Sequence, residues 1–211
     1  MAAWEQWLDA PQLLALAAAL GWASGVRLYA AVFVTGVAGM MGWISLPQGL
    51  QVLQHPAVLG ASGLMLAVEF FADKVPLLDS LWDAVHTFIR IPAGAALAAA
   101  ALGADGAAWS WVAALLGGTL AATAHATKMT TRAAVNTSPE PFSNVLVSLA
   151  EDGLVVGALW LATTHPVWFG VALGLVLLLS VVLLVLLLRF LRVVLQRVGR
   201  LFSGARAPQG T

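Results

Sequence analysis

Apolar positions gather along this chain into six long runs, at about residues 11 to 43, 57 to 75, 81 to 104, 107 to 129, 143 to 163 and 166 to 190. The breaks between them are polar or carry Pro and Gly: "SLPQGLQVLQHP", "DKVPLLDS", "GADG", "ATKMTTRAAVNTSPEPFSN" and "TTHP". About 20 apolar residues suffice to cross a hydrocarbon core near 30 Å thick, provided that every backbone group is paired within the segment. The pattern therefore predicts an all-α integral membrane protein with about six transmembrane helices.

The first run is too long for one upright span, because about 33 residues at about 1.5 Å each reach roughly 50 Å. It is expected to be tilted or broken, with its weak point in "GWASGVR", where Gly21 and Gly25 lower helix stability and Arg27 needs a polar partner.

The two halves resemble each other. "SGVRLYAAV" (24 to 32) lines up with "TKMTTRAAV" (127 to 135), and one run later each half places an acid in an apolar stretch, Glu69 in the first and Glu151 in the second. With three spans per half, the second half enters the membrane from the opposite side. This predicts two inverted three-helix repeats with interrupted helices, the arrangement of many transporters. Residues 1-104 form the first repeat, residues 105-198 the second with a basic amphipathic extension, and 199-211 a disordered cytoplasmic tail. Arg27 and Arg132 are then expected at equivalent breaks near the membrane centre, each a gate hinge beside the acids of the second and fifth spans.

Composition strengthens this picture. Hydrophobic residues make up 61% of the 211 and charged ones 9%, with mean hydropathy +0.91, against roughly 25% charged in soluble proteins. There is no cysteine, which removes disulfides and thiolate metal sites. The opening "MAAWEQWLDAP" has two acids and no basic residue, unlike the head of a cleavable signal peptide. Placing the arginine-rich end inside leaves no Lys or Arg in an external loop, so both termini are expected in the cytoplasm.

Charge is where the chemistry lies. In "EFFADKVP" Glu69 and Asp73 are four apart and share a helix face, able to bind a cation or share a proton. "DSLWDAVHTFIR" spaces Asp79, Asp83, His86 and Arg90 as one stripe. Glu69, Asp73, Asp83 and His86 are thus candidate ligands for a hard or borderline divalent ion, metal identity unknown. The plainer reading makes Asp79 and Asp83 the solvated first turn of a span. "HATKMTTRAAVN" puts His125, Lys128, Arg132 and Asn136 on one face, and Asn144, Ser148, Glu151 and Asp152 share another. "NTSPEPFSN" stops the helix and offers Ser138, Ser143 or Asn144 as caps. A purely structural account pairs Lys128 or Arg132 with Glu151 or Asp152, and Arg27 or Arg90 with Glu69 or Asp73.

Lesser signals have ordinary meanings. "GWASG" and "GVALG" fit small-residue helix contact or a homodimer. Trp4, Trp7, Trp43, Trp82, Trp109 and Trp168, near run ends, read as interfacial anchors. "RFLRVVLQRVGRLF" reads as a basic amphipathic helix on anionic lipids. No HExxH, GxSxG or Walker loop occurs, so no enzymatic activity, cofactor or nucleic-acid partner is expected.

"GVRLYAAV", "EFFADKVPLLDSLWDAVHTFIRIPAGA" and "HATKMTTRAAVNTSPEPFSNVLVSLAED" together resemble the bacterial membrane family named domain of unknown function 4126, over roughly residues 12 to 190. The resemblance implies a small multi-span protein and no settled activity. Glu69, Asp73 and Lys74 are also similar to the Glu-x-Gly-Asp-Lys repeats of a cation-exchanger family, although the spacing differs and the second half has Glu151-Asp152-Gly153.

The leading functional expectation is a small secondary transporter or exchanger in the bacterial inner membrane, for a cation and coupled to protons or ions. Its partners would be membrane lipids and a small ion or molecule. Its centre would be Glu69, Asp73, Glu151 and Asp152, with Arg27, Lys128, Arg132, His86, Arg90 and Asn144 around them, since intramembrane charge is costly and ordinarily functional. The alternatives are a binder or translocase of anionic, phosphate-bearing lipid held by Arg27, Lys128 and Arg132, and a non-catalytic membrane scaffold or subunit.

Overall fold

The computed structural model describes the backbone of residues 3–75, 77–103, 106–137 and 141–203, with side chains over 10–75, 77–103, 106–137 and 142–197. Six α-helices follow in order: α1 (Ala3–Met40), α2 (Pro56–Ala72), α3 (Leu78–Leu102), α4 (Ala107–Val135), α5 (Pro141–Thr164) and α6 (Pro166–Ser203), with a 3-10 helix (Gln48–Gln54) ahead of α2. No strand occurs among the described residues.

Five helices, α1, α3, α4, α5 and α6, are long and apolar enough to cross a membrane. The second predicted run is different. Its α2 has 17 residues, at the short limit for a span, and it meets the 3-10 helix at a 68° bend, so a sixth crossing exists only if the bent pair counts as one span. His55 and Pro56 make that corner: the His55 imidazole accepts from Ala57 N at 3.2 Å, while proline suits the first helical position, where its missing N–H costs nothing.

The exterior is inverted relative to a soluble protein. Arg27, Arg90 and Arg132 are 0% exposed, whereas Phe88 is 84% exposed, in company with Leu115, Leu175 and Leu179. Water would reverse that arrangement, and a hydrocarbon solvent favours it.

α1 is the central helix. It packs on α2, α3, α4 and α5, and α3 lies along α4 across the junction of the two sequence halves. The reason lies in small residues. A Cβ added at Gly21 would sit 2.7 Å from Gly117 Cα, and one at Gly94 would sit 2.6 Å from the Ala121 Cβ, so these helices approach almost backbone to backbone. "GWASG" therefore makes a contact within the molecule. "GVALG" does not, since nothing lies within 4 Å of a Cβ at Gly170 or Gly174. Leu16, Leu20, Leu50, Leu102, Val155 and Phe169 fill the apolar core.

α1 does break, and at Arg27, whose backbone is extended (φ −147°, ψ 84°) inside an otherwise helical segment. The second-half segment is interrupted differently: Arg132 lies in regular helix, α4 stops at Val135, and α5 starts at Pro141. Asn144 is not a cap, because it lies within α5 with its side chain turned to Asn136; Ser138 lies outside the described residues. α6 continues to Ser203, so residues 199–203 are helical, and the rest of the expected tail lies outside the described residues.

Candidate functional site: a buried charge centre at the break in α1

The break has a chemical consequence. Interrupting a helix frees carbonyls that would otherwise accept from the next turn, and cations from neighbouring helices reach those just before Arg27. Arg90 Nη1 of α3 donates to Val26 O at 3.2 Å and Lys128 Nζ of α4 donates to the same oxygen at 3.1 Å. Two positive groups thus sit at the negative end of the first half of α1, as the helix dipole prefers.

The carboxylates close around them. Arg90 binds Glu69 through Nη2 and Asp83 Oδ1 through Nη1 at 2.9 Å. Asp73, at the end of α2, turns one oxygen, Oδ2, toward Lys128 (3.0 Å), Arg27 (3.2 Å) and Arg132 (3.7 Å). Arg132 forks onto Glu151 at 3.2 and 2.7 Å, and Arg27 Nε lies 3.1 Å from Asp152 and 3.7 Å from Glu151. Ser148 accepts from Arg27 through both its hydroxyl (2.7 Å) and its carbonyl (3.1 Å). The two arginines of the two "AAV" segments therefore share Asp73 and Glu151.

Asp79 and Asp83 are not a solvated first turn. Both are 0% exposed. Asn136 Nδ2 donates to both Asp79 oxygens, at 3.0 and 3.2 Å, and Asn144 Nδ2 donates to Asn136 Oδ1 at 2.8 Å. That chain ties the start of α3 to the α4–α5 junction, which leaves no water face for the acids.

The histidines stand at the margin. His86 Nδ1 faces the Trp82 carbonyl at 2.8 Å, an acceptor only, so Nδ1 carries the hydrogen and Nε2 accepts from the Tyr29 hydroxyl at 3.1 Å. Thr87 donates to the Asp83 carbonyl and so accepts from His125 Nε2 at 2.8 Å, while His125 Nδ1 faces Arg90 at 3.4 Å. The four metal-ligand candidates are consequently not assembled as such: His86 is committed to Tyr29 and Trp82, and Glu69, Asp73 and Asp83 are separated by the chain's own cations. Among the described residues no three acids or imidazoles form a metal-holding group.

Every sequence-predicted site residue joins or borders this centre, with Asp152 at its more open edge, where Lys74, outside the predicted set, reaches Ser148. The Val26 carbonyl and that of Gly25, which accepts from Arg90 Nη1 at 3.5 Å, together with Tyr29 and Thr87, have no counterpart in the sequence reading. The one available signal was Tyr29, the single tyrosine of the chain, two residues after Arg27. Six carboxyl groups (Glu69, Asp73, Asp79, Asp83, Glu151, Asp152) gather with five basic groups (Arg27, Lys74, Arg90, Lys128, Arg132). Beside the centre, between α1, α4, α5 and α6, lies a cavity of about 500 Å³ with apolar walls that include Trp22, Leu154 and Leu183 and with Lys128 and Glu151 on its lining.

No curated protein and no solved structure matches the chain. Residues 14–186 match the family model described as "Domain of unknown function (DUF4126)", close to the stretch over which the motifs carry the resemblance. A match over that much of the sequence, through all three charge-bearing motifs, places this protein in the DUF4126 family.

Proposed function

We propose that the protein is a small secondary transporter or exchanger for a cation, coupled to protons or a second ion, and not an enzyme. The observation that carries this reading is the buried charge centre itself. It is built on a broken helix, lies among helices long and apolar enough to cross a membrane and gathers six carboxyl groups with five basic ones. Buried ion pairs stabilise weakly after desolvation, so packing alone is a poor reason to keep so many. Broken helices whose freed carbonyls meet charge near the midplane are the recurring design of transport sites.

In this reading the halves are inverted repeats whose Arg27 and Arg132 meet on Asp73 and Glu151, the two termini face the cytoplasm, and the membrane is the bacterial inner one. Reconstituted Glu151→Gln protein should insert and fold yet lose cation uptake in proteoliposomes. Uptake at the rate of the unmodified protein would refute the assignment.

A second reading has one observation in its favour. The cavity between α1, α4, α5 and α6 has hydrocarbon-like walls and reaches Lys128, which suits an anionic lipid whose headgroup meets the ammonium. Native mass spectrometry showing a co-purified anionic lipid that is lost in Arg132→Ala would favour this reading over cation transport.

A further inference from the structure

Lys128 Nζ lies inside a cage of four oxygens drawn from four separate parts of the chain. The Val26 carbonyl freed by the break in α1 is 3.1 Å away. Asp73 Oδ2 at the end of α2 is at 3.0 Å, Asp83 Oδ1 of α3 at 3.3 Å and Glu151 Oε2 of α5 at 3.5 Å. Asp73 and Asp83 are both fully buried, and Asp73 Oδ1 and both oxygens of Asp83 make no hydrogen bond, the Asp83 Oδ1 contacts to Lys128 and Arg90 being ion pairs only. The two acids of the cage therefore hold acceptor capacity that the lysine leaves unused, at a cost ordinarily avoided in a buried site.

We propose that this cage is a binding site for a free monovalent cation of ammonium or potassium size, and that the Lys128 ammonium is a tethered occupant which the free ion displaces. The proposal rests on the transport reading for its purpose and on the geometry for its location. Size decides the class of ion. Oxygens 3.0 to 3.5 Å from the central nitrogen are too distant for magnesium, which needs about 2.0–2.1 Å, or calcium, at about 2.3–2.6 Å.

The structure also has room for the exchange. Lys128 and Glu151 line the same cavity of about 500 Å³, beside Thr131 and the apolar Leu154, Val176 and Leu183. On displacement the ammonium keeps Glu151 and gives up Val26, Asp73 and Asp83, while its methylene stem lies against the apolar wall. No covalent bond changes. One cation enters and the lysine moves aside.

Lys128→Ala removes the tethered occupant, and ammonium, methylammonium and potassium should each raise its apparent melting temperature saturably, binding about tenfold or more tighter than to the unmodified protein. Magnesium should not. A second variant keeps the lysine: the chain has no cysteine, so Thr131→Cys reports on the cavity alone, and ammonium or potassium should slow its thiol modification about threefold as the displaced side chain covers it. If Lys128→Ala does not fold, the labelling decides. Absence of any ion effect in these assays, or stabilisation by magnesium equal to that by potassium, overturns the site. Saturable binding with no uptake by the unmodified protein in proteoliposomes refutes the transport reading and keeps the site; uptake without any ion effect refutes the site alone.

Discussion

Arg132 of α4 grips Glu151 of α5 with two parallel hydrogen bonds, Nε to Oε1 at 3.2 Å and Nη2 to Oε2 at 2.7 Å, where neither side chain is more than 9% exposed. A planar guanidinium matches a carboxylate this way and an ammonium cannot. The same arginine donates to the Asp73 carbonyl at 2.8 Å, so one side chain ties α4 to both α2 and α5.

Removing one partner of such a pair leaves an uncompensated buried charge, at a cost of about 3–5 kcal/mol. Arg132→Ala and Glu151→Ala are each expected to lower the melting temperature in detergent sharply, with Arg132→Lys intermediate. Combined, the two alanine changes should cost clearly less than their separate effects added, because each single change strands the other's charge. Additive losses in this double-mutant cycle would show that the pair does not act as a unit.

The glycines divide into two groups with opposite expectations. Gly21→Leu forces a side chain into the space where Gly117 Cα already lies, and should abolish the folded species on size-exclusion chromatography. Gly157→Ala, in α5, meets nothing within 4 Å, and removing a helical glycine in open surroundings stabilises by about 0.5–1 kcal/mol. Its melting temperature should hold or rise slightly. A destabilised Gly157→Ala would mean that this face is covered.

Orientation can be read from the far end of α6, where Arg189, Arg192 and Arg197 stand exposed on one continuous helix. Basic residues at a span end are retained on the cytoplasmic side. In the naturally cysteine-free chain, Arg197→Cys should react with an impermeant maleimide in inside-out vesicles and not in intact cells. The reverse pattern would invert the topology.

Much of the architecture was visible along the chain because membrane helices are selected by length and apolarity, which are local properties. Run 81 to 104 became α3, which starts earlier, at Leu78, and ends at Leu102, and run 166 to 190 became α6, which runs on to Ser203, since charged residues such as Asp79 and Arg189 continue a helix without being apolar. The second run became α2 and the 68° corner at His55 and Pro56 fell in the Pro-bearing break ahead of it, but composition did not show that α2 alone has only 17 residues. The helix-face spacing of Glu69 and Asp73, and of Lys128 and Arg132, correctly placed them on common faces, but spacing is silent about the facing helix.

By itself the sequence determined that this chain belongs in a membrane as a bundle of helices, that the charges of its apolar body gather mainly in three motifs, and that α1 would yield near Arg27, because chain length, glycine and an unaccompanied arginine all act locally. Only the tertiary structure decided the partners. It buried Asp79 and Asp83, which an isolated helix would have left in water; it turned His86 toward Tyr29 and away from the acids; and it set Lys128 among oxygens from Val26, Asp73, Asp83 and Glu151. The physical reason is that an ion pair between helices depends on crossing geometry, which the close approach of Gly21, Gly94 and Gly117 establishes, and no periodicity along one helix encodes which carboxylate stands opposite.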